Sequence, residues 1–360
     1  MEVQILKRKP SILLLLVAFF SFAPAVLAQS MSTSLANLPD ADLLIYVSPQ
    51  RILNDAVPRV IPAAEVAQMQ AAFADMKRAV GVDPATVEYL VFAVRFHKPA
   101  ADLSFVAPDV MVVAGGDFSA DSLLTLAQLT LQDKVRTEKH GSKSISLMTV
   151  DPIAKEAEKN PLLKPFVEVG AVALTPNSLA LGNLRYIRAA VDAAEGTGRI
   201  KPETIQSLLR DPNVLMAATG TPIVSFARSF GLLGTETTSR EGRCDSNFGN
   251  FYAAATISGA NYSLRGAMNA DNPDTAKIIT NLLSALMKTE VPIPDKTAQA
   301  IVKSVKLTAK DNEVVIDADI PIQLIADFVR EQTKPKAAAP APAPKKPVTK
   351  RPATRTKRRN

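Results

Sequence analysis

Tryptophan is absent from the 360 residues, cysteine occurs once, at Cys244, and histidine twice, at His97 and His140. A lone cysteine excludes an intrachain disulfide framework, and with two histidines it leaves no Cys/His set for a zinc site. No cofactor and no metal are expected. Aromatic residues are only 5% of the chain, so stacking platforms for nucleic-acid bases are scarce. The sequence also lacks a Gly-x-Ser-x-Gly elbow, a Ser-x-x-Lys pair and a P-loop, and the expectation is that the protein is not an enzyme.

Hydrophobic residues, at 47%, are abundant enough for one large or two ordinary domains. The formal charge is +7, from 42 Lys+Arg against 35 Asp+Glu. That excess is a property of one end. Residues 334–360 hold 10 basic and no acidic residues, whereas residues 29–333 hold 29 basic and 34 acidic, a net of −5. A basic nucleic-acid-binding body is thereby excluded, and no specific nucleic-acid partner is expected.

The chain opens with Lys7, Arg8 and Lys9, an apolar run over residues 12–22, a helix-breaking Pro24 and small residues at Val26 and Ala28. This is the order of a secretory signal, with cleavage before Gln29. The alternative is an uncleaved anchor, since the apolar stretch extends to Ala28. Both readings place the rest outside the cytoplasmic membrane, in the periplasm or secreted, touching a membrane only peripherally or through that anchor.

Within the body, three segments recur in the same order. Asp42–Ser48–Pro49 is echoed by Asn213–Thr221–Pro222, each a buried strand entering a helix at a Ser/Thr–Pro step. Tyr89–Phe96 and the strand 110–114 match Phe251–Ser258 and 262–268. Each pair then leads to an amphipathic helix, with Leu123, Leu126 and Leu129 as one stripe and Ile278, Ile279, Leu282 and Leu286 as the other. The hairpin Ala171–Gly182, followed by the helix Leu184–Ala194, matches Val305–Asp319 followed by a helix opened by Pro321. The fold class expected is α+β, as two related units of antiparallel sheet with helices packed on one face. The divisions are 1–28 signal peptide, 29–198 first unit, 199–333 second unit and 334–360 tail.

Candidate chemistry is sparse. Gly115–Gly116 lacks the remaining residues of a phosphate-cradling loop and reads as a strand-to-helix turn. His97 and His140 read as isolated loop histidines, Cys244 as an incidental loop cysteine, and Asp317 and Asp319 as two carboxylates on one face of a strand. No catalytic or metal-binding residue is assigned.

The tail reads differently. Its Pro/Ala/Lys spacer is expected to be disordered and extended. Lys345, Lys346, Lys350, Arg351, Arg355, Lys357, Arg358 and Arg359 form a polyanion-binding set without shape or base readout. Outside the membrane the partners are anionic envelope polymers or lipid head groups.

The opening Leu38–Pro39–Asp40–Ala41–Asp42 before Tyr46–Val47, with the hairpin Asn177–Gly182, resembles a loose group of exported bacterial proteins of unknown function. The resemblance implies an extracytoplasmic, non-enzymatic protein and supplies no site residue. The reading is an envelope-associated binding or scaffold protein; the alternative is a carrier of an apolar ligand such as a lipid. N-terminal sequencing of the exported protein should start at Gln29; peptides retaining residues 12–22 would show the anchor instead.

Overall fold

The computed structural model describes residues 34–80, 83–97, 107–131, 134–158, 161–211, 213–221, 250–288 and 296–333. The leader, Pro222, Cys244 and the basic tail lie outside these residues.

β1 (Leu43–Val47) leads through Ser48 into the helical segment 49–60 (α1), which includes a π-helical stretch at Ile52–Ala56. Pro49 occupies the first helical position, where a missing N–H leaves no bond unmade, although the Ser48 side chain makes no cap bond. α2 (Ala63–Val80), β2 (Val87–Arg95), β3 (Asp109–Gly116) and α3 (Ala120–Leu131) follow. Next come the hairpin β4 (Val135–His140) and β5 (Lys143–Thr149), α4 (Asp151–Ala157), the 3-10 helix Pro161–Phe166, and the hairpin β6 (Glu168–Thr175) and β7 (Ser178–Asn183). α5 (Leu184–Ala194) and α6 (Pro202–Leu208) lead to β8 (Met216–Gly220). β9 (Phe251–Ser258), β10 (Asn261–Asn269), α7 (Pro273–Lys288), α8 (Lys296–Ser304), β11 (Val305–Lys310), β12 (Glu313–Pro321) and α9 (Ile322–Thr333) complete the order.

All strands belong to one 12-stranded sheet, in the order β11-β12-β10-β9-β8-β1-β2-β3-β7-β6-β5-β4, and every pairing is antiparallel. The order is symmetric about the β1–β8 pair. Moving outward, β2, β3, β7 and β6 on one side face β9, β10, β12 and β11 on the other, and β5–β4 is the extra hairpin of the first half. The expected sheets are therefore halves of one sheet.

Helices cover both faces, which corrects the expectation of a single helical layer. On one face, Tyr186, Ile187 and Val191 of α5, with Ile205 and Leu208 of α6, pack on Leu44, Val91, Met111 and Val172. On the other, Leu53 and Val57 of α1 and Met69 and Phe73 of α2 pack on Leu90, Phe92 and Val112. The two sets alternate along β2 and β3 because neighbouring strand residues point to opposite faces. A covered sheet of this kind needs apolar residues on both sides, and the near-continuous apolar runs of β1 and β2 are that signature.

In the second half, Ala276, Ile279 and Leu283 of α7 pack on Met268 and Val314. Through the register, Met268 shares the α2 face, whereas Ala267, paired with Tyr252 and onward to Thr219 and Leu44, shares the α5 face. The apolar stripes are not buried as read from spacing. Leu129 is 70% exposed and Leu126 36%, while Ile278 and Leu282 are 66% and 59% exposed. Of the expected α7 stripe Ile279 does pack inward, but with Leu283 rather than with Ile278 and Leu282.

Gly182 on β7 lies where a Cβ would be 2.4 Å from the Val110 carbonyl oxygen and 2.9 Å from the Met111 Cα. Both are backbone atoms of β3 and have no rotamer to yield. Gly182→Ala should therefore lower unfolding stability by about 1–3 kcal/mol, read as a fall in the denaturant midpoint at constant slope.

Candidate functional site

Asp109 is the most buried charged side chain of the described residues, at 2% exposure. It opens β3, and β7 and α5 bring its partners to it. Arg185, in the first turn of α5, donates Nε to both oxygens (3.0 and 2.9 Å) and Nη2 to Oδ1 at 2.8 Å. Asn183 donates Nδ2 to Oδ1 at 2.5 Å, and its Oδ1 accepts the Val110 amide at 2.8 Å. His97 Nε2 lies 2.6 Å from Oδ2. Asn183 stands at the N-cap of α5 but makes no side-chain cap bond, because its amide is committed to β3. A buried carboxylate is tolerated only when paired and fully hydrogen-bonded, and this one is.

His140 sits at the β4–β5 turn as expected, and its Nε2 is 2.8 Å from Asp192 on α5. Both histidines therefore have carboxylate partners and neither is isolated. Spacing gave no sign of this, since His140 and Asp192 are 52 residues apart. Nearby, the Ser142 amide donates to Glu195 Oε1 at 2.6 Å. The Ser142 hydroxyl and amide hold that carboxyl below its ordinary range. Burial pushes the Tyr186 phenol up, and its hydroxyl donates to the Asp40 carbonyl at 3.0 Å.

Asp317 and Asp319 do share a face of β12, and Arg265 of β10 meets both, at 3.3 Å each. The Ser263 hydroxyl, 2.6 Å from Asp319 Oδ1, and then Arg265, lower the Asp319 carboxyl from its usual value. The pair belongs to a solvated cross-strand ladder with Arg265. Gly115 and Gly116 remain within β3, with Gly115 against the Tyr89 ring and Gly116 against the Thr86 carbonyl. No phosphate loop is formed there.

Among the described residues, two of the open cavities with charged walls lie beside the groups above. One, of about 370 Å³, lies at the start of α5 and includes Asp109, Lys164, Glu168, Asn183, Arg185 and Arg188. Arg188 donates Nε to Glu138 at 2.7 Å, and Arg136 donates Nη2 to Glu168 at 2.6 Å. The other, of about 500 Å³, lies over β9, β10 and β12 and includes Arg210, Tyr252, Arg265, Lys310, Glu313 and Asp317. Arg210 sits 5.8 Å above the Tyr252 ring. Among the described residues no group of three or more His, Cys, Asp or Glu could hold a metal ion, and no helix is long and apolar enough to cross a membrane. The expected polyanion-binding residues, Lys345, Lys346, Lys350, Arg351, Arg355, Lys357, Arg358 and Arg359, lie outside the described residues.

No protein-family model matches the chain, and no curated protein matches it in sequence. Among solved structures, crystal form III of TP0453 from Treponema pallidum is similar with a TM-score of 0.43 and 11% identity, covering 82% of this chain and 97% of that one. Crystal form IV of the same protein gives a TM-score of 0.41 and 10% identity, covering 82% and 95%. Likeness at this level transfers no role to any residue.

The Asp109 cluster makes its own prediction. Arg185→Ala should destabilise the fold by about 2–3 kcal/mol, below the usual penalty for orphaning a buried charge because His97 and Asn183 still serve it. Asp109→Ala placed on top should cost less than the sum of the singles in a thermal-unfolding cycle. Simple additivity would mean the two side chains are energetically independent.

Proposed function

We propose that this chain is an exported, non-enzymatic binding or scaffold protein of the bacterial envelope. In this reading the folded body supplies a binding surface, and the basic tail rests on anionic envelope polymers or lipid head groups. The observation that carries the reading is the segregation of charge: 10 basic and no acidic residues in 334–360, against a body of net −5. A spacer rich in proline and alanine lets such a cluster reach a surface without disturbing the body. Attraction of this kind follows charge density and falls steeply with salt.

The non-enzymatic reading draws support from where the titratable groups are spent. His97 is paired with Asp109 and His140 with Asp192, and the His140–Asp192 and Arg185–Asp109 contacts hold α5 to the sheet. The apolar-carrier alternative draws none: the space between α5 and the sheet is filled by Tyr186, Ile187 and Val191, all at 0% exposure.

Co-sedimentation with anionic vesicles tests the tail. The full chain should bind and lose most binding between about 50 and 200 mM salt, while a chain ending at residue 333 should stay in the supernatant throughout. Equal, salt-independent sedimentation of the two would remove the proposal.

A further inference from the structure

We infer that the cavity at the start of α5 is a binding site for a phosphate monoester group. Three cations from two elements line it: Lys164 from the 3-10 helix Pro161–Phe166, and Arg185 and Arg188 from α5. Arg185 and Arg188, three residues apart, are neighbours on one helical face, with Cβ atoms about 5–6 Å apart.

Two carboxylates share the walls, and each already has a cationic partner. Asp109 lies at 2% exposure behind Arg185, with both oxygens occupied by Arg185, Asn183 and His97. Glu168 Oε1 is held by Arg136 through Nε at 3.1 Å and Nη2 at 2.6 Å. The Arg188 pair with Glu138 leaves Lys164 as a lining cation with no carboxylate partner among the described residues. A net positive cavity results, and its guanidinium at Arg185 is fixed in place by a buried carboxylate before any ligand arrives. Such a preoriented guanidinium beside an exposed ammonium suits a tetrahedral, multiply charged acceptor better than a single carboxylate, which one arginine can satisfy alone.

This inference does not depend on the tail. Inorganic phosphate is the probe, titrated calorimetrically into three full-length chains: the natural one, Lys164→Ala, and one with the eight tail residues from Lys345 to Arg359 changed to glutamine. The natural and tail-neutralised chains should bind one phosphate with equal affinity, and Lys164→Ala should weaken it about tenfold. Arg188→Gln, checked for an unchanged melting temperature, should weaken it similarly. Phosphate binding that Lys164→Ala leaves unaltered, or that disappears only with the tail charges, overturns the site, as does acetate binding as tightly as phosphate. Vesicles containing phosphatidic acid then separate the sources, in the tail-neutralised background. Sensitivity of vesicle binding to Lys164→Ala supports the site with a lipid head group as its ligand. Phosphate binding without that sensitivity supports it with a soluble phosphate ester.

Discussion

The antiparallel pairing of β1 with β8 is the joint through which everything else is transmitted. Each strand is five residues long, yet their contact turns two half-sheets into one. Leu44 and Tyr46 point to the α5 face between Ala93 and Val91 on β2 and Thr219 and Ala217 on β8. A slip of one residue would exchange them for Leu43 and Ile45 and move two buried side chains to the wrong face. The register is pinned at both ends. The Asp42 amide donates to the Val94 carbonyl, the Asp42 carbonyl accepts from Thr221, and the Asp42 side chain accepts from Phe96 at 2.7 Å. At the far end the Ser48 amide donates to the Leu215 carbonyl. One aspartate thus ties three segments that are remote in sequence.

From that joint the two halves diverge in how they treat the α5 face. In the first half α5 and α6 bury it, and the strands present Val91, Met111, Val113 and Val172. In the second half the same face carries Thr256, Arg265, Glu313, Val315 and Asp317 around an open cavity. Arginine on β10 opposite aspartate on β12 is the ordinary chemistry of a strand face in contact with water, and such exposed pairs contribute little to stability. Alanines at 253–255 in β9 suit neither a thick core nor a charged rim. Of the three, Ala254 points to the α5 face and forms the low floor between them.

Much of this architecture was legible because it depends on local rules. The α5 boundaries at Leu184 and Ala194, the Pro176–Asn177 and Asp311–Asn312 turns, and the start of α7 at Pro273 follow from capping, turn and periodicity signals; Asn272 Oδ1 indeed accepts the Thr275 amide at 2.8 Å. What was not legible is anything decided between distant segments. Nothing within a repeat specifies that β1 pairs with β8, so two sheets and one sheet give the same pattern. The face of a helix that is buried is likewise fixed by its neighbour: Ile278, Ile279, Leu282 and Leu283 offer two apolar stripes, and only the position of Met268 and Val314 selects 279 and 283. The Asp109 cluster escaped for the same reason, since Asn183 and Arg185 lie 74 and 76 residues further on.

That cluster also shows why the two cationic features of this chain differ in kind. A hydrated cation in a spacer of the tail's composition would be attracted to a polyanion only within a screening length of about 8–10 Å at ordinary ionic strength, with no geometry. Arg185 is placed by a desolvated carboxylate, and displacing the guanidinium would leave Asp109 buried with only Asn183 and His97 to serve it. Its direction is therefore maintained by the fold rather than by the ligand. Two of its neighbours, Lys164 and Arg188, need only complete a set whose first member is already oriented. At α5 the counter-charge is buried behind the donor instead of dissolved around it, and that is what gives the proposed phosphate site a direction.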